Sequence, residues 1–335
     1  MNRTALTRLR RFMASCGFER FTLCRPENFA WLTGGGDNTV AIGEGVGCLE
    51  VTPDSVRLHT SRIEAARLQE EEKVDFAVST YPWYSSPPIG RPNDFEHDLT
   101  PLRLVLTPEE QERFRRLGND AAQALGSAMR AAQPEWTEAR LAGEIAAEAY
   151  ARGIQPVVLL VAGEERAFRY RHPLPKDRAL GKLAMGVICA RRDGLVANLT
   201  RMRSWGKPGL ARRYEKLLQV EARGLDAAVP GATLGEVLEG IAAGYREIRA
   251  PDEFEAHHQG GIAGYRPREV LGVTGDGTVL QAGMAVAWNP SLPGVKVEDT
   301  FLITPTGVEN LTFDPDWPMI EVGGRPRPAV LTEGA

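Results

Sequence analysis

One phrase of this sequence recurs at a fixed interval. Pro134-Glu135-Trp136-Thr137 and Pro230-Gly231-Ala232-Thr233 share a Pro-x-x-Thr entry, and Ile145-Ala146-Ala147 returns as Ile241-Ala242-Ala243, each matched pair 96 residues apart. Two amphipathic helices can agree by chance at their apolar positions, but chance does not supply the same proline and threonine in the same register. A long helical pattern precedes each phrase. A shorter one follows, RLAGEIAAEAYARG in the first copy and LGEVLEGIAAGYREI in the second, and the first copy runs on into the apolar strand PVVLLVAG. Two related halves of this kind are expected to close a curved antiparallel sheet flanked by helices, with a cleft between them.

The first hundred residues read as a smaller α/β unit. An amphipathic basic helix is expected near residues 4–15, then the strand-like runs FERFTLCR, FAWLTGG, VGCLEVT and VRLHTS, then a helix from about Ile63. Between Thr80 and Asp94 the stretch TYPWYSSPPIGRPND breaks every periodic pattern, because proline fixes φ and removes a donor. Thr107-Pro108-Glu109-Glu110 places an N-cap, a proline at the first helical position and a capping-box glutamate in register, which opens a helix to about Ala132. The boundary is expected in or just after the Pro-rich stretch, giving residues 1–105 as one domain, 106–321 as the duplicated domain and 322–335 as a tail.

Composition narrows the partners. A net charge of -4 provides no basic stripe to displace counterions from phosphates, so no nucleic acid is expected. The N-terminal MNRTALTRLRRFMASCGF lacks the apolar core of a secretory signal, and no stretch approaches a membrane span. Cys16, Cys24, Cys48 and Cys189 lack C-x-x-C spacing, and three of them lie in the first fifty residues among hydrophobic neighbours. Buried thiols in a reducing cytoplasm are the expectation.

Five phrases, in order, resemble the creatinase/prolidase family, which includes Xaa-Pro dipeptidases and aminopeptidases. ENFAWLTGGG is similar to its N-terminal N-x-x-Y-L-T-G segment, and HPLPKDRALGKLAMG to the stretch after its active-site histidine. GLVANLTRM resembles G-Y-x-x-D-x-T-R, LQAGMAVAWNP resembles the L-x-x-G-M segment ending in Glu-Pro, and GVKVEDTFLIT follows its Glu-Asp segment. The resemblance implies an α+β chain: a pita-bread C-terminal domain with internal duplication behind a smaller α/β domain. It also implies a homodimer, in which the partner's N-terminal domain closes each site.

Metallopeptidases of that family bind two divalent ions through two Asp, one His and two Glu, hard cations preferring anionic oxygens. Carried over residue by residue, the second Asp falls on Asn198 and the first, eleven positions back, on Val187. The His falls on Gly260, the first Glu on Asn289, and only Glu298 keeps its carboxylate. No metal and no cofactor are therefore expected. The alternative is a shifted register that brings in Asp193, His257 or His258.

Creatinase, as the resemblance has it, hydrolyses a carbon–nitrogen bond without metal, using a histidine in the segment that here contains His172. An imidazole of near-neutral pKa can take a proton from water and return it to a leaving nitrogen, so His172 is the candidate base, supported by Glu298. Asn198 and Asn289 are candidates to hydrogen-bond a polarised carbonyl. His257, His258 and Tyr265 belong to the family's substrate loop, and Arg169, in a run with Arg166 and Arg171, suits a small anionic substrate. Plainer readings stand beside these: His172 as a loop cap, Glu298 as an ion pair with Lys296 or Arg201, the arginine run as a solvated edge. The expected function is metal-independent hydrolysis of a small carbon–nitrogen substrate. The alternatives are a non-catalytic relative that binds a peptide or metabolite, and a metal-dependent Xaa-Pro peptidase.

Overall fold

The computed structural model describes residues 1–41 and 43–332. The chain divides into two units, Met1–Thr107 with Arg192–Leu195, and Pro108–Arg191 with Val196–Ala335.

In the first unit, four strands form a sheet in sequence order: Phe21–Leu23, Gly47–Val51, Val56–Ser61 and Ala77–Tyr81. The first three are antiparallel and the fourth is parallel to the third. The expected basic helix forms over Arg3–Cys16, capped by Asn2 and ended by Gly17 in the left-handed region. FAWLTGG is not a strand: Pro26–Thr33 is a helix with proline in its first turn and Gly34 at its C-terminus. Every residue from Asn28 to Thr33 is buried, and a short apolar run without periodicity fits a buried strand as well as a buried helix. The Pro-rich stretch does not leave this unit, since the Thr22 amide donates to the Pro92 carbonyl, the Asp94 amide donates to the Thr22 carbonyl, and the Asp94 carboxylate caps the amides of Cys24 and Arg25.

The register that sets Leu23 opposite Leu49 brings Cys24 beside Cys48, and the two form a disulfide rather than the expected thiols. Cys16 is free and exposed, while Cys189 is free and buried.

The second unit shows the duplication in its backbone bonds. Helices Pro108–Ala131 and Glu138–Tyr150 form the first αα pair, and Leu210–Ala227 and Leu234–Glu247 the second. Thr137 and Thr233 both act as side-chain N-caps, and each also bridges an extended segment, at Ala179 and Val279. Ala139 donates to Lys176 and Gly235 to Asp276, while Leu180 donates to Trp136 and Leu280 to Ala232. Such side-chain and main-chain capping satisfies orphan helix donors, so the repeated Pro-x-x-Thr encodes a repeated helix entry.

Each half adds antiparallel strands: Gln155–Gly163, Leu183–Arg192 and Leu195–Ser204 in the first, and Gly260–Ala263, Ala285–Trp288 and Asp299–Thr304 in the second. The sheets meet at a bridge between Thr200 and Glu298, reinforced by Thr300 Oγ1, which binds both the amide and the carbonyl of Asn198. From residue 322, the expected tail is built into this unit. Met319–Val322 pairs with Arg325–Pro328, and Leu331–Thr332 adds to the strand Leu195–Ser204 in parallel. Arg327 anchors it, binding Glu221 at 2.6 Å and Asp299 at 2.7 Å where all three are buried.

Candidate active site

Adjacent residues of a strand point to opposite faces, and the Glu298-Asp299 pair divides accordingly. Asp299 joins Arg201 at 2.9 Å, Thr312 at 2.6 Å and Arg327 in a fully buried charge network. Arg201 thus pairs across the sheet with Asp299, not Glu298. Glu298 faces the other side, where Arg268 donates to it at 2.8 Å, Thr200 Oγ1 at 3.1 Å, and the Lys296 ammonium lies 3.6 Å away. Burial opposes the charge on Glu298, but Lys296 and Arg268 outweigh it and hold its pKa below the usual carboxylate range.

Three imidazoles stand near this group of charges. His172 lies in the loop after the short helix Glu164–Ala167, and His257 and His258 lie between the turn Pro251–Phe254 and the strand Gly260–Ala263. His172 Nε2 is 3.0 Å from His257 Nε2, and the rings of His257 and His258 are 4.5 Å apart. His257 is 6% exposed. Burial, then the charge of Lys296, pushes its pKa down to about 2; burial and Arg268 push His258 down to about 4. His172 is lowered in the same way, by burial and then Lys296, with Glu298 pulling in the opposite direction. All three rings are held neutral.

One nitrogen of each imidazole lies within 4.8 Å of the others, a spacing a divalent ion could bridge. Neutral imidazole is the form that ligates a metal, so the lowered pKa values leave the three rings available as ligands. Cys189 is no rival nucleophile, because burial and Glu298 push its thiol up to about 12.

The other expected residues divide. Asn198 and Asn289 are buried, and among the described residues the Oδ1 of each has no hydrogen-bond partner. Asn198 follows the strand's alternation with Thr200, placing it on the Glu298 side, and its Nδ2 reaches Pro267, next to Arg268. The Asn289 amide binds the Gln259 carbonyl, next to His258. Tyr265 is not with the imidazoles: its hydroxyl donates to Glu110 at 2.6 Å and accepts from Arg113 at 3.2 Å. Arg169 is exposed and pairs with Glu165 at 3.1 Å, while Arg166 and Arg171 pair with Glu138 and Glu253. Arg166 and Arg171 are held by part-buried acids of the same chain, and Arg169 lies on the surface.

At the five positions where the resemblance placed metal ligands, Val187 is 2% exposed and hydrocarbon. Gly260 has a φ of 116°, and a Cβ built there would meet the Ala287 carbonyl oxygen at 2.0 Å. No side chain fits at that position in this backbone. Asp193, the alternative ligand, pairs with Lys73 at 2.8 Å. Sequence reading missed Arg268 entirely and saw Lys296 only as a partner for Glu298. The available signal was the spacing Lys296-x-Glu298, which sets the two on one face of an extended segment.

Comparison with known proteins agrees with this architecture. An Xaa-Pro dipeptidase of Pyrococcus furiosus is 29% identical over 231 residues, covering 63% of this chain and 64% of that protein. An Xaa-Pro dipeptidase of Pyrococcus horikoshii is 28% identical over 212 residues, covering 57% and 59%. The alignments therefore span less than two thirds of these relatives. Among solved structures, the prolidase of Pyrococcus horikoshii superposes with a TM-score of 0.78 at 19% identity, covering 92% of this chain and 98% of that one. A prolidase of Thermococcus sibiricus gives 0.79 at 15%, covering 99% and 98%. These likenesses establish the pita-bread fold. The description of metallopeptidase family M24 matches residues 112–305, more than half the sequence, and the chain belongs to that family.

Proposed function

We propose that this chain is a metal-independent hydrolase of a small carbon–nitrogen substrate, with His172 as the general base. The observation that carries the reading is the environment of Glu298. Its carboxylate is already neutralised by two protein cations, Arg268 at 2.8 Å and Lys296 at 3.6 Å. A dinuclear site needs several anionic ligands, and this pocket offers one carboxylate, already paired, beside Val187, Gly260 and two neutral amides.

In this reading His172 donates its Nε2 hydrogen to His257 Nε2, which fixes the ring and leaves the His172 Nδ1 lone pair for a proton from water. Burial, and after it the Lys296 charge, lowers the pKa of His172, which also makes the protonated ring a ready acid toward the leaving nitrogen. Among the described residues Glu298 makes no hydrogen bond to His172; its part is to hold Arg268 and Lys296 in place. The orphan oxygens of Asn198 and Asn289 suit N–H groups of a ligand better than a carbonyl, since oxygen accepts and does not donate.

Two other readings rest on observations of their own. The dipeptidase relatives favour a metal-dependent Xaa-Pro peptidase, for which the three imidazole nitrogens are the available donors. The strong protection of His257 and His258 from protonation suits a pocket that only binds. The test is a screen of small amides and amidines with the wild type and His172→Ala, in chelator and in added Mn or Zn. Turnover that survives chelator and vanishes in His172→Ala supports the proposal. Turnover only with metal supports the peptidase, and binding without turnover that persists in His172→Ala supports the binding relative.

A further inference from the structure

The helix Leu210–Ala227 carries Arg212, Arg213 and Lys216 in its first two turns, and among the described residues none of the three pairs with an acid. Arg212 and Lys216 are exposed, and their side chains make no hydrogen bond there. Arg213 donates to the Pro293 carbonyl at 3.4 Å, which leaves its charge unmatched. Arg212 and Lys216 stand one turn apart, where like charges destabilise a helix. The helix dipole favours anions at this end, yet the first turn holds no acid and Gly209 at the N-cap supplies no side-chain cap. Positive potential from several sources therefore accumulates at one place without an internal counter-charge.

The same three cations line a cavity of about 470 Å³, a volume in the range of small-molecule sites. Ile248, Leu292 and Pro293 give it an apolar wall, and its one acidic lining residue, Glu253, is already held by Arg171. We propose that this cavity binds a small organic dianion, a phosphate monoester or a dicarboxylate with an apolar body. Its charged end meets Arg212, Arg213 and Lys216, and its body covers Ile248, Leu292 and Pro293. Guanidinium forks match either anion bidentately, and the ammonium adds a point charge. A neutral ligand would leave the repulsion in place, and an inorganic anion would leave the apolar wall uncovered. The cavity shares no lining residue with Glu298 or the three imidazoles, so the site does not depend on the hydrolase chemistry.

Calorimetry on the full chain at low ionic strength tests this, with phenyl phosphate, phthalate, inorganic phosphate and neutral phenol as probes. Saturable binding of phenyl phosphate or phthalate is expected, and the tighter of the two tells a phosphate monoester from a dicarboxylate. Inorganic phosphate should bind more weakly than that probe, and phenol should not saturate. Arg212→Gln combined with Lys216→Gln should weaken the tighter probe roughly tenfold or more, the scale of a lost charged hydrogen bond. Both side chains are exposed, so the double variant should fold. Unfolding midpoints check this independently: the probe should raise that of the wild type and leave that of the double variant unmoved. Arg116→Gln, which removes an exposed cation from the first repeat, should bind as the wild type does. Absence of saturable binding by both dianions, phenol or inorganic phosphate bound as tightly as they are, unchanged affinity in the double variant, or an equal loss in Arg116→Gln overturns the inference.

Discussion

His172 and His257 meet Nε2 to Nε2 at 3.0 Å, so a single proton links two rings that lie 85 residues apart in sequence. That contact joins the first repeat to the second and places the proposed base at the seam between them.

The neutral imidazoles make the fold sensitive to acid. Unfolded histidines bind a proton below about pH 6.5, whereas His257 and His258 in the fold do so only near about 2 and about 4. Because the unfolded chain takes up more protons in that window, stability is full above about 6.5 and falls with pH below it. Thermal unfolding from about pH 7.5 down to about pH 5 should show a falling midpoint, and His257→Phe should flatten the fall. A midpoint unchanged across that range would contradict the assignment of neutral rings.

Reinstating the family histidine at Gly260 should not reinstate a metal site. The left-handed backbone and the Ala287 carbonyl at 2.0 Å from an added Cβ should make Gly260→His destabilising by at least ~2 kcal/mol. Denaturant unfolding with and without added Zn measures this. A variant as stable as wild type that binds metal stoichiometrically would show that the backbone relaxes around a ligand.

The network of Arg201, Asp299, Arg327 and Glu221 should be the strongest polar contribution to the second unit. Arg327→Ala leaves Glu221 unpaired and strips Asp299 of one of its two arginines in a buried site, a loss on the order of 3–5 kcal/mol. Urea midpoints test this, and a chain ending at residue 321 should fare no better. A loss below about 1 kcal/mol would mean that solvent reaches the network.

Much of this architecture was legible before any coordinates. The Pro-x-x-Thr repeat encodes local chemistry, a cap and a chain reversal, and local chemistry can be read from short phrases. Helix Pro26–Thr33 was misread because a wholly buried element shows no periodicity. Nothing between residues 322 and 332 signals their pairing, since the partners Glu221, Asp299 and the strand Leu195–Ser204 are distant in sequence. At the site, the ligand positions could be counted along the chain. The pairing of Glu298 with Arg268 could not, because it depends on how a loop folds back to the seam.

Arg268 and Lys296 balance the Glu298 carboxylate at this seam, and under the proposed function no metal ion is needed there. Plasma mass spectrometry of protein purified without added metal or chelator tests it most directly. Divalent metal far below one equivalent per chain is expected, with no gain after incubation in Mn, Co or Zn. About two tightly held divalent ions per chain, lost on Glu298→Gln, would contradict it.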